Sequence, residues 1–143
     1  MLLSLVAVCG ATAVGADADS PRLTVAAYRS KANAICDVEQ RRTRALVLEQ
    51  QSLARYLSRE IGVVRTALAG FASLLPPSRL AGLHASIVAN TRREVDVLES
   101  LWARAKAGTL SFDAYAADSD LHAVVKREIA LWERAGASGC AGP

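Results

Sequence analysis

Two histidines, His84 and His122, and one aspartate, Asp118, are the residues of this chain whose types and spacing suit metal or proton chemistry. Asp118 precedes His122 by four residues, so on a continuous helix the two side chains share a face and can hydrogen-bond. An inward Asp–His pair facing a second His would hold a metal or act as a base. Three ligands are a minimum, however, and no Glu-x-x-His or His-Glu-x-x-His sequence supplies a carboxylate framework. His84, Asp118 and His122 thus remain ligand candidates, against the plainer expectation of polar residues at the boundary of a bundle. No metal or other cofactor is assigned.

Haem raises the same comparison. Tyr28, Tyr56, Tyr115 and the histidines are usable axial ligands, but there is no Cys-x-x-Cys-His attachment sequence, and tyrosines at core spacing are expected to pack. Trp102 and Trp132 fall at inward helical positions and are expected in the core, with an aromatic ligand pair as the alternative. No Gly-x-Ser-x-Gly, phosphate-cradling glycine loop or reactive cysteine with a suitable partner occurs, so the chain is not expected to be an enzyme and no catalytic residue is assigned.

The cysteines turn on the compartment. Residues 1–16 carry no charge and end in small side chains, Val14-Gly15-Ala16, which fits the apolar core and cleavage region of a secretory signal peptide. The apolar run from Leu2 to Ala16 is shorter than the roughly 20 residues that span a bilayer, so no transmembrane helix is expected in the mature chain. No Lys or Arg precedes it, whereas export signals ordinarily open on a basic region, which leaves a start upstream of Met1 open. Lipidation at Cys9 is the rival reading, disfavoured because the preceding Val8 is larger than the usual Gly, Ala or Ser. The expected location is secreted or in the cell envelope. In that oxidising setting Cys36 and Cys140 are expected to form a disulfide.

Residues 17–143 make one domain's worth of chain, sufficient for a single core. Lys and Arg number 17 against 14 Asp and Glu, a net charge of +3. Basic and acidic residues interleave at helical spacing, as in Arg93-Glu94 and Lys126-Arg127-Glu128, and read as solvated faces. The tightest basic cluster, Arg41, Arg42 and Arg44, reads the same way, and there is no nucleic-acid signature.

The elements that must position these residues are helices. Ala, Leu, Arg and Glu dominate, and no stretch alternates in the manner of a strand. The first helix starts at Thr24 as N-cap and carries Val25, Tyr28, Ala32, Ile35 and Val38. No strong breaker lies between Thr43 and Ser52, so it could run on into the second. The second carries Leu53, Leu57, Ile61, Val64, Leu68, Phe71 and Leu75 as one stripe, stopped by Pro76-Pro77. The third runs from near Ser78 to Gly108 with Leu80, His84, Ile87, Val95, Leu98 and Trp102 inward. The fourth, capped by Ser111, carries Tyr115, His122, Val125, Ile129 and Trp132 and ends at Gly136. Short links between long helices predict an all-α, up-and-down bundle of three to four helices.

The residues Tyr28 to Cys36 (with Asn33, Ile35 and Cys36), Leu74-Leu75-Pro76-Pro77 followed by Leu83-His84, and the final Trp132, Gly136 and Cys140 resemble a functionally uncharacterised group of small exported helical proteins of bacteria. The resemblance spans nearly all of residues 17–143 and implies an architecture and a cysteine pair, but no activity. Mycobacterial exported haem carriers are a more distant likeness in size, helicity and disulfide, with no haem-binding motif matching residue by residue. The expected role is a non-enzymatic binding or structural module of the envelope, its partner an envelope protein or a small apolar ligand. The alternative is a carrier of haem, metal or a small apolar ligand within the bundle.

Overall fold

The computed structural model describes residues 21–47 and 51–141. The expected signal peptide, its cleavage site and Cys9 lie outside the described residues. Helix α1 (Val25–Val47) begins where Thr24 caps it, its Oγ1 accepting from the Ala27 N–H at 3.2 Å. Helix α2 (Leu53–Ala72) begins at a cap of its own. Ser52 is extended (φ −66°, ψ 151°) and its hydroxyl accepts from the Arg55 N–H, so the helical pattern that could have run on is interrupted there. The helix ends at Ala72, short of the prolines, and the stripe loses its register: Leu74 is buried, while Leu75 is 45% exposed and uses its carbonyl to accept from the Leu23 N–H.

A 3₁₀ turn, Ser78–Leu80, leads into α3 (Ala81–Lys106). The expected fourth helix is two elements, the one-turn α4 (Phe112–Ala116) and α5 (Ser119–Ala135). Asp118 makes the break. Its carboxylate caps α5, Oδ1 accepting from the N–H groups of Asp120 (3.2 Å) and Leu121 (3.0 Å). The restart rotates the inward face, so that Val124, Leu131, Trp132 and Ala135 are buried while His122 and Val125 are exposed.

The four long helices form an up-and-down bundle with no strand among the described residues. Helix α2 packs on α1 and α3, and α3 on α5, but α1 and α5 barely touch along their length. They are tied at one end instead. The C-terminal 3₁₀ turn Ser138–Cys140 lies against α1, where Cys36 and Cys140 form a disulfide with Cα atoms 5.2 Å apart. Asn33 Oδ1 accepts from the Gly139 N–H, and the Gln40 side chain donates to the Gly139 carbonyl. Among the described residues no helix is long and apolar enough to cross a membrane.

The core has two parts. One gathers Tyr28, Cys36, Phe71, Ile87, Trp132 and Cys140 at the disulfide end, with the Phe71 and Trp132 rings 4.9 Å apart. The other gathers Leu53, Leu57, Ile61, Val64, Val95, Leu98 and Leu101. Trp102, expected inward, sits at the margin of this second part with the Lys106 ammonium 4.4 Å above its ring, and Leu101 takes the buried position.

Gly136 ends α5 in the left-handed region (φ 69°), and a Cβ there would meet Arg29 Nη2 at 2.5 Å. Arg29 in turn donates from Nε to the Ala135 carbonyl at 2.8 Å. Gly136→Ala therefore imposes both left-handed strain and displacement of Arg29, an expected loss of about 1–2 kcal/mol. In a urea titration the midpoint should fall with the slope unchanged.

Candidate functional site

Between the two parts of the core the bundle changes chemistry. Glu39 follows Cys36 on α1, Glu60 lies between Leu57 and Val64 on α2, Glu94 lies between Ile87 and Val95 on α3, and Glu128 lies between Val124 and Leu131 on α5. Each of the four long helices thus contributes one glutamate, none of them exposed. All four line one groove of about 430 Å³ in the gap between α1 and α5. Gln40, Thr43 and Arg44 from α1, Val125 and Ile129 from α5, and the Cys36–Cys140 disulfide complete its lining.

Two of the carboxylates are held by hydrogen bonds. Glu60 accepts from the Tyr56 hydroxyl at 3.1 Å through Oε1 and from the Tyr115 hydroxyl at 2.9 Å through Oε2. Glu128 Oε1 accepts from the Trp132 indole N–H at 3.3 Å and the Thr91 hydroxyl at 3.4 Å. Glu94 lies against Glu128, the two carboxyls sharing a hydrogen bond that favours a protonated Glu94, and its Oε2 is shut off from solvent. Burial raises all three of Glu39, Glu60 and Glu94 above the usual carboxylate range. Glu39 is pushed up to about 8, by burial first and then by the charges of Glu128 and Glu60. Glu94 moves the same way, through burial, then the adjoining Glu128, then Glu39 and Glu60. At Glu60 the hydrogen bonds from Tyr115 and Tyr56 offset part of the rise.

Such a groove can exchange protons for another cation. An empty site keeps acids protonated because burial and mutual repulsion penalise their charges; a bound cation removes that repulsion and releases protons. Its titratable lining among the described residues is four carboxyls and Arg44, with the Thr43 hydroxyl beside them.

The sequence-derived candidates lie elsewhere and are not brought together. His84 is buried near the start of α3, its Nδ1 hydrogen-bonded to the Tyr28 hydroxyl at 3.1 Å with the rings edge to face. Burial lowers the His84 pKa and raises that of Tyr28 to about 12, so at neutral pH both are uncharged. Asp118 pairs with Arg104 at 3.6 Å near the other end of α3, about 30 Å from His84 at 1.5 Å per residue. Its carboxylate is engaged as a helix cap, and His122 stands exposed. Among the described residues no three His, Cys, Asp or Glu side chains converge so as to hold a metal ion.

Of the residues that line the groove, Arg44, Glu94 and Glu128 were read from sequence as solvated. Arg93, Lys126 and Arg127 are indeed exposed, but Glu94 and Glu128 turn inward. The available signal was position: each of the four glutamates sits three or four residues from apolar core positions on its own helix, where a solvated acid does not belong. No protein-family model, curated protein or solved structure matches the chain.

Proposed function

We propose that this is an exported, non-enzymatic binding protein of the cell envelope, and that the groove between α1 and α5 is its ligand site. The observation that carries the reading is the interruption of the core by four glutamates around a groove of about 430 Å³. That volume is in the range of small-molecule sites. Burying four acids without need would cost stability, so their placement calls for a ligand that uses them. The uncharged run at residues 2–16 and a disulfide bridging distant parts of the chain support export.

Val125 is 38% exposed on the α5 wall, so Val125→Trp fills the groove without disturbing the buried core. A thermal-shift panel of amines, sugars, fatty acids, nucleosides and divalent ions should contain at least one compound that raises the melting temperature of the parent and not of Val125→Trp. If no compound separates the two proteins, the groove is not a ligand site.

A further inference from the structure

We infer that the seam between α1 and α5 is a pH-operated gate: it stays closed while the carboxyls of Glu39 and Glu94 hold their protons, and swings open about the Cys36–Cys140 disulfide when they give them up. As control of access to the groove this rests on the groove being the ligand site; the movement itself does not.

The long helices pack in the order α1, α2, α3, α5, and the ring is left open where α1 and α5 barely touch. That seam is tied at one end. The disulfide, the bonds from Asn33 and Gln40 to Gly139, and the Arg29 guanidinium on the Ala135 carbonyl all lie there. Farther along, the groove separates the two helices, with Glu39 on the α1 wall and Glu128 on the α5 wall. Each helix is held on its other side, α1 by α2 and α5 by α3, where the Asn90 side chain donates to the Val124 carbonyl at 3.1 Å. Motion at the seam therefore carries α1 with α2 away from α5 with α3, hinged at the disulfide, so the widening grows with distance from Cys36.

The charges around the seam set its direction. Glu39 shares the groove with Glu60 of α2, Glu94 of α3 and Glu128 of α5; on α1 itself Arg44 lines the same groove and Arg42 borders Glu39 on the α2 side. The Tyr56 and Tyr115 hydroxyls that hold Glu60 are both raised, Tyr56 to about 12, and stay uncharged, and the bridged cysteines do not titrate. Glu94 shares a hydrogen bond with Glu128, which needs a proton between the two carboxyls. Once Glu39 and Glu94 ionise, like charges stand on both walls in a medium that screens them poorly, and widening the seam separates them and admits water. Open and hydrated, both acids return toward the ordinary 4.5, whereas Glu39 in the closed seam sits at about 8. The closed form thus binds more protons between these values, and the closed-to-open ratio falls by up to about tenfold per pH unit for each proton given up.

Pulsed electron resonance between paired nitroxides tests this in the intact, disulfide-bonded protein. Labels on encoded ketone side chains leave the cysteines alone. One pair replaces the exposed Ala45 and His122, far from the disulfide, and the other replaces the exposed Lys31 and Arg134, beside it. From pH 6.5 to pH 8 the Ala45–His122 distances should shift toward a longer population while Lys31–Arg134 stays fixed and far-UV circular dichroism is unchanged. Glu39→Gln with Glu94→Gln, which keeps the shape of the protonated acids, should hold the far pair at its short distance at both pH values. Glu99→Gln, which breaks only the surface pair with Arg65, should respond as the parent does. A far pair that does not move overturns the gate, as does movement that persists in the double Gln variant. Widening of both pairs together, or loss of helix in step with it, shows general loosening and overturns it too. If the far pair stays fixed while some compound separates the parent from Val125→Trp, the gate fails and the groove stands as the ligand site. If the far pair opens as expected and no compound does so, the gate stands and the ligand reading fails.

Discussion

Reducing Cys36–Cys140, or replacing both cysteines by alanine, should lower the melting temperature by roughly 15 °C, at about 3–4 °C per kcal/mol in a domain of this size. The bridge joins residues 104 apart in sequence, and in the chain-entropy account closing so long a loop stabilises by about 4–5 kcal/mol. Its position adds a structural reason. Helices α1 and α5 scarcely touch, so the terminal 3₁₀ turn and its disulfide carry the closure of the bundle at that end. The polar ties from Asn33 and Gln40 to Gly139 remain after reduction, which keeps the tail close but not rigid. Thermal denaturation with and without reductant measures the effect, and thiol titration of the unfolded, unreduced protein should find neither cysteine free. A drop of only a degree or two would show that packing of the terminal turn, not the covalent link, holds α5 to α1.

The architecture was legible because its signals are local. The Thr24 cap, the stripe from Leu53 to Phe71 and the glycine after α5 each act within a turn or two of chain, and each appears where expected. Misreadings arose where one residue had two local uses. Asp118 fits a helix interior as the partner of His122, but it fits a cap better, since its carboxylate satisfies two N–H groups that a helix start leaves open. Choosing the interior role moved the inward face of α5 from Val124 to Val125 and brought His122 inside. A similar slip at the end of α2 exchanged Leu74 for Leu75, because helical periodicity does not extend past Ala72.

The groove was harder to see for a different reason. Glu94 and Glu128 stand beside basic residues in sequence, and adjacency to Arg93 and Arg127 reads as a solvated face. On a helix neighbours in sequence point about 100° apart, so the relevant neighbours are three and four residues away. For Glu94 these include the buried Asn90, Thr91 and Leu98, and for Glu128 the buried Val124, Leu131 and Trp132 beside the exposed Val125. That much was available from one helix at a time. That the four acids meet across a single groove depends on how α1, α2, α3 and α5 pack, which no single segment encodes.

Stability should fall between pH 6.5 and pH 8, by about 2–4 kcal/mol if one to two protons are retained by the folded state and lost by the unfolded chain. The sign follows from Glu39 and Glu94. Each starts from an ordinary value of 4.5 and is raised on folding, Glu39 to about 8. Across this window the unfolded chain has both acids ionised, while the folded protein still holds protons and must give them up against burial and against Glu128 and Glu60. His84 acts oppositely: burial lowers its value from 6.5, so it destabilises the fold only as pH drops below that point, where its ring would charge next to Tyr28. Restricting the comparison to pH 6.5 and above therefore isolates the carboxylates. The melting temperature should drop by roughly 10 °C over the window, at about 3–4 °C per kcal/mol. Glu94→Gln and Glu39→Gln, which keep shape and remove the titration, should each flatten the profile and gain more at pH 8 than at pH 6.5. A profile that is flat or rising from pH 6.5 to 8 would mean that water reaches the groove freely enough to keep all four acids ionised, and that the core tolerates their charges without a ligand.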